Sequence, residues 1–286
     1  MSNATLASPK LIWPQGHRVA VVVSVLLETW SEKKSPSYFP RTTPLPPGST
    51  DIAGINWSRF GGNEGIWRLS RNLKDLDIPA TLFCNGRSAE VWPEAVAAFA
   101  KAGHDVAAHG YLQDQTLFSM SAEIERETIK KTLDILEKTA GKRPTGWVTP
   151  IYGWSENTID YLAEAKLAWC SDALDATAPY WKDTKSGKIL MIPWSDFVDN
   201  RALRASPRIY YDVYKDMFDY LHACGTSLSF RRPPGDDSDV PHDPGIFPQP
   251  QGCVVRTSPR SRKVDRRPED RGYVLRQPLL QIGREI

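Results

Sequence analysis

The sequence predicts an α/β protein built on a mainly parallel sheet wrapped by helices. Three observations carry this. Short β-rich runs alternate with helix-period segments from Val19 to about Leu221; each run is bounded by glycine, proline or acidic turn residues; and 286 residues with 41% hydrophobic and 24% charged side chains suffice for one large core.

The strands read in order as VAVVVSVLL (Val19–Leu27), ATLFCNG (Ala80–Gly86), HDVAAHG (His104–Gly110), TGWVTP (Thr145–Pro150), LAWCSDA (Leu167–Ala173) and ILMIPWSD (Ile189–Asp196). Pro36 to Gly48, rich in proline, reads as a long loop directly after the first strand. Such a loop sits where α/β proteins build sites. Gly61–Ser70 running into Leu76 predicts a crossover helix, closed by the Asp77-Ile78-Pro79 turn. Ile129, Leu133, Leu136 and Ala140 recur at helical spacing, Ser121 can cap the start, and Gly141 stands where a left-handed residue ends a helix.

Several function classes are disfavoured. No apolar run has the length to span a bilayer, and a net charge of +2 argues for no polyanionic partner, so neither a membrane nor a nucleic acid is expected. The start MSNATLASPKL lacks the basic and apolar regions of a signal peptide, and Cys84, Cys170, Cys224 and Cys253 lie too far apart for a CxxC pair. A cytoplasmic protein with reduced thiols is the expectation. GGNEG (Gly61–Gly65) is not a phosphate loop, since no strand precedes it.

Chemistry is expected at three strand ends. Glu28 follows the first run, His109 ends the third with Gly110 permitting a tight turn, and IPWSDFVDN supplies Asp196 and Asp199. Singly, each has a structural explanation: a solvated carboxylate, a core histidine, a helix cap. Together, on parallel strands, they converge on one rim, where a carboxylate base and an imidazole can share a substrate.

From about Val19 to Leu221 the chain resembles the polysaccharide deacetylase, or NodB-homology, family. The resemblance is carried by LLET (Leu26–Thr29), HGYLQ (His109–Gln113) and KRPTGWVTP (Lys142–Pro150). It implies an irregular (β/α)7 barrel. In metal-dependent members two acids and an H-[ST]-x-x-H pair supply a base and the ligands of a divalent cation. Here Thr29 replaces the second acid and Gln113 the second histidine, which leaves one good ligand where a catalytic metal takes about three. The resemblance therefore implies no cofactor, with zinc as the alternative.

FCNGRSAEVWPE (Phe83–Glu94), HDVAAHGYLQDQ (His104–Gln115), IPWSDFVDNRALRASP (Ile192–Pro207) and YDVYKDMFDYL (Tyr211–Leu221) resemble the metal-poor allantoinases and cyclic imide hydrolases of this fold. This implies a hydrolase, or imidase, that opens small cyclic imides or amides and assembles as a homotetramer. Glu28 would activate water, His109 would orient the substrate or polarise its carbonyl, and backbone N–H groups near Trp147–Ile151 would help hold the oxyanion. Asn85, Arg87, Trp147, Trp194 and Asp196 are the candidates for the substrate pocket. The alternatives are a metal-dependent N-acetyl-sugar deacetylase and, from another class, an inactive scaffold or basic-tail binding protein.

The composition breaks near residue 225. From Ser229 to Ile286 there are nine of the 23 prolines and ten arginines, but no alanine and no tryptophan. Residues 1–225 are expected to form the barrel and 226–286 an atypical tail. Allowed codons for this segment, read one base forward, spell LHCHFGGRPVM and then WFARHPEVARWIDD, which resemble the histidine-bearing strand and the closing elements of the family. The expectation is a frameshift near Tyr220–Gly225, an irregular tail, and loss of the histidine expected to act as general acid.

Overall fold

The computed structural model describes residues 17, 19–39, 41–176, 179–193, 206–224 and 273–274. Its centre is a seven-stranded sheet of β2 (Ser24–Leu27), β3 (Thr81–Cys84), β4 (Asp105–Ala108), β5 (Gly146–Trp147), β6 (Trp169–Ala173), β8 (Gly187–Pro193) and β7 (Tyr180–Thr184), in that spatial order. All neighbours pair in parallel except β7, which returns antiparallel against β8. A parallel sheet with helices between strands is the predicted α/β class. The six predicted runs each contain one of these strands, and the sixth is described only as far as Pro193.

The differences have local causes. β5 is two residues long because the chain leaves the ladder after Trp147: the Thr149 N–H donates to a side chain, Asp172 Oδ1, at 2.7 Å, and Pro150 has no N–H to give. β7 escaped the sequence reading because it is a polar edge strand with no buried face. A short strand β1 (Ala20–Val21) precedes β2 and pairs in parallel with β9 (Tyr273–Val274), so the pairing of the first segment extends to the tail. Otherwise residues 225–286, and with them the expected irregular tail, lie outside the described residues.

The helices cover the sheet. Helix α1 (Ile52–Phe60) begins earlier than expected because Asp51 caps it, accepting the Gly54 N–H at 3.0 Å. It passes through a π-helical turn over Gly61–Gly65 into α2 (Ile66–Asp75). Gly62 is required there, since a Cβ would fall 2.2 Å from the Trp92 ring. Helices α3 (Gly86–Val91) and α4 (Pro93–Lys101) follow β3. Helix α5 (Ala122–Ala140) agrees with its sequence pattern: Ile129, Leu133 and Leu136 are buried, Ser121 accepts the Ile124 N–H, and Gly141 adopts φ +75° with its N–H on Glu137 O. Helix α6 (Thr158–Glu164) leads to β6, and a further helix spans Pro207–Cys224. Leu82, Cys84, Ala108, Trp147, Cys170 and Ile189 place the sheet within the core. Among the described residues no helix is long and apolar enough to cross a membrane.

Candidate active site

Because β2 to β6 run in parallel, their C-terminal ends meet at one edge, and five segments deliver side chains there. Glu28 leaves β2, Asn85 leaves β3, His109 leaves β4, Thr149 follows β5, and Asp172 lies near the end of β6.

Asn85 is the tie beneath the site. It is fully buried, its Oδ1 accepts the Thr29 N–H at 2.9 Å, and its Nδ2 donates to His109 O. One carboxamide thus spans from the residue after Glu28 to the backbone of His109. Asn85, a candidate for the pocket wall, thus has both its oxygen and its nitrogen engaged in this tie. Trp147, also predicted as wall, is likewise fully buried, with its Nε1 donating to Thr149 Oγ1 at 2.9 Å. Arg87 is at the surface and pairs with Glu90 at 2.8 Å. Trp194 and Asp196 lie outside the described residues.

His109 is 3% exposed, and its ring is oriented by Nδ1, 2.9 Å from Val148 O. A carbonyl only accepts, so Nδ1 carries the proton and Nε2 is the nitrogen that faces the site. Nε2 stands 3.5 Å from Glu28 Oε1. Glu28 Oε2 accepts from the Tyr38 hydroxyl at 3.0 Å, so the two carboxylate oxygens have different partners.

Two loops are drawn in around this pair. Ser31 donates its N–H and hydroxyl to Asp114 Oδ1 at 2.8 and 3.0 Å, and the Gln113 N–H donates to Thr29 O at 2.8 Å. Gly110, at φ +63°, packs so closely on Pro150 that a Cβ would lie 2.7 Å from its Cγ. Beyond Pro150, Ile151 (φ 44°) and Tyr152 (φ 56°) are both left-handed. For a β-branched residue this is a strained conformation of the kind that clusters at functional sites. Of the N–H groups expected to hold an oxyanion, Val148 donates to Ala108 O at 3.0 Å and Thr149 to Asp172. Pro150 has no N–H, and the Ile151 N–H stands as a candidate in the loop.

Asp172 was not singled out in the sequence. It is 6% exposed and accepts from Thr149 twice, through the N–H at 2.7 Å and the hydroxyl at 2.6 Å. Burial pushes its carboxyl above the usual range, and the Thr149 bonds oppose that shift. The available signal was an acid inside the buried run LAWCSDA, where a carboxylate has no packing reason to be. Tyr38 was also missed, because nothing in a proline-rich loop marks one residue as reaching a strand end.

The two positions at which this chain departs from the metal-dependent pattern carry neutral side chains. Thr29 Oγ1 is a neutral hydroxyl shared with Ser88 Oγ at 2.7 Å, and Gln113 offers a carboxamide. Among the described residues no three His, Cys, Asp or Glu side chains group as a metal site.

Residues 58–169 match the sequence signature of the polysaccharide deacetylase family. A peptidoglycan deacetylase of Helicobacter pylori is 36% identical over 108 residues, 38% of this chain and 36% of that one. A peptidoglycan-N-acetylglucosamine deacetylase of Bacillus cereus is 31% identical over 121 residues, 41% and 42% of the two chains. The chain thus spans well under half the length of these relatives. Among solved structures, Puue allantoinase superposes with a TM-score of 0.68 at 27% identity, covering 77% of this chain and 78% of its own. The "probable Polysaccharide deacetylase from Pseudomonas aeruginosa PAO1" gives 0.65 at 27% identity, covering 75% and 76%. The fold is therefore the NodB-type (β/α) barrel class, as the motifs implied.

Proposed function

We propose that this chain is a hydrolase of carbon–nitrogen bonds that opens small cyclic imides or related cyclic amides without a catalytic metal. The observation that carries the reading is the Glu28–His109 pair, 3.5 Å apart, with the imidazole locked by Val148 O so that Nε2 faces the carboxylate. The 27% identical allantoinase neighbour, itself named for a cyclic substrate, supports the same class of reaction.

In this reading Glu28 Oε1 takes a proton from water as the water oxygen bonds to the ring carbonyl carbon. His109 Nε2, an acceptor, orients the substrate through a ring N–H, and the Ile151 N–H stabilises the oxyanion. Collapse breaks the carbon–nitrogen bond, the nitrogen receives a proton, and one water has been added to give an open-chain acid amide. A cyclic imide suits such a site because its carbonyls are more electrophilic than those of an ordinary amide and its anion is a tolerable leaving group.

The peptidoglycan deacetylase relatives favour a second reading, removal of an N-acetyl group from a sugar. Succinimide, hydantoin, allantoin and an N-acetylated chitooligosaccharide, each with and without chelator, separate the two. Imide or cyclic amide turnover that survives chelation is expected; chelator-sensitive deacetylation establishes the second reading, and silence on all four establishes an inactive chain. Glu28→Gln is expected to abolish turnover with the fold intact, and an active variant refutes Glu28 as the base. Light scattering tests the tetramer implied by the resemblance.

A further inference from the structure

We propose that Tyr38 is a positioning residue for the base, holding Glu28 Oε2 so that only Oε1 is presented to the water and to His109. This rests on Glu28 acting as the base.

A glutamate carboxylate turns almost freely about its last torsion, so a site that needs one particular oxygen must hold the other. Here the Tyr38 hydroxyl donates to Oε2 at 3.0 Å while Oε1 faces His109 Nε2. The phenol comes from the loop between β2 and α1 and is itself bracketed. The Trp30 ring meets it edge-on at 6.2 Å and the Trp57 ring at 6.0 Å, from two different segments. Phe39 packs on the same Trp57 at 5.7 Å, and the Arg41 guanidinium lies over the Phe39 ring, 5.5 Å from its centroid.

The bracket is anchored independently of Glu28. Asp51 accepts from Ser35 Oγ at 3.1 Å, from Arg41, and from the Gly54 N–H at 3.0 Å, fastening the Tyr38 loop to the helix that bears Trp57. Ser31 fastens the near end of the loop to Asp114. Tyr38 is 41% exposed, so what restrains the phenol is the fastening of its loop at both ends and the two flanking indoles. Its hydrogen bond orients the carboxylate at little further entropic cost.

The test is Tyr38→Phe in the full chain, assayed on the cyclic substrate that the four-compound panel identifies. Removing the hydroxyl is expected to lower kcat about 10- to 100-fold, the range for losing a group that orients a catalytic side chain, with KM changed less than about twofold. Unchanged kcat, or a raised KM at unchanged kcat, overturns the proposal. An active Glu28→Gln variant fails the base itself, which is a separate outcome. A readout independent of turnover is the difference Raman spectrum of wild type against Tyr38→Phe. It is expected to show the tyrosine doublet of a strong hydrogen-bond donor, absent when the same difference is taken in a Glu28→Ala background; a doublet insensitive to Glu28 overturns the assignment.

Discussion

Replacing Asn85 by alanine removes a side chain that ties the tips of β2 and β4 together through the backbone. Two hydrogen bonds go, a buried one to His109 O and a partly buried one from the Thr29 N–H. An unsatisfied buried polar group costs about 1–3 kcal/mol, so the pair costs about 2–6 kcal/mol. For a domain of this size that corresponds to a fall in Tm of about 5–15 °C. The functional consequence is separable, because a displacement of about 1 Å between Glu28 and His109 is expected to lower kcat about 100-fold. Asn85→Asp sharpens the test: it still accepts the Thr29 N–H but sets a buried carboxylate against His109 O, and is expected to be less stable than the alanine variant at neutral pH. Thermal melts of both variants and kcat on the cyclic substrate are the measurements. A wild-type Tm for Asn85→Ala refutes the hydrogen-bond argument, and a lowered Tm with intact kcat confines Asn85 to a structural role.

Asp172 gives a pH signature. Its folded carboxyl lies above the unfolded value because of burial, so both states are protonated at low pH; as pH rises past the unfolded value the native state holds the extra proton and loses stability until its own raised value is passed. The Tm gap between wild type and Asp172→Asn is expected to shift in favour of the variant as pH rises through that window; a shift the other way means that the Thr149 bonds outweigh burial. At the ends of α5, Ser121→Ala and Gly141→Ala are each expected to cost about 1 kcal/mol and to add in the double variant, since they act 20 residues apart through a lost cap and a strained φ of +75°. Urea unfolding measures both, and a marked departure from additivity refutes independent action. Finally, the frameshift reading predicts that the nucleotides encoding residues 226–286 contain, one base forward, the strand LHCHFGGRPVM and the segment WFARHPEVARWIDD; a gene sequence without them refutes it.

Much of this protein was legible without coordinates because strands and amphipathic helices are written locally. The apolar run Val19–Leu27, the spacing Ile129, Leu133, Leu136, and the Ser121 and Gly141 caps each depend on neighbours within a few positions, and the structure follows them. Helix α1, which precedes the predicted Gly61–Leu76 helix and is started by the Asp51 cap, and the polar edge strand β7 were missed. Glu28 and His109 stood out because polar residues at strand ends need no partner to be noticed. What they do together was not legible. The bonds that shape the site join residues 10 to 81 positions apart: Tyr38 to Glu28, Asn85 to Thr29 and His109, His109 to Val148 and to Glu28. Sequence periodicity decides which face of a strand is buried. Only the parallel sheet decides which strand ends are neighbours, and hence that Asn85 is a tie, that Asp172 is a buried acid beneath Thr149, and that one named oxygen of Glu28 faces one named nitrogen of His109.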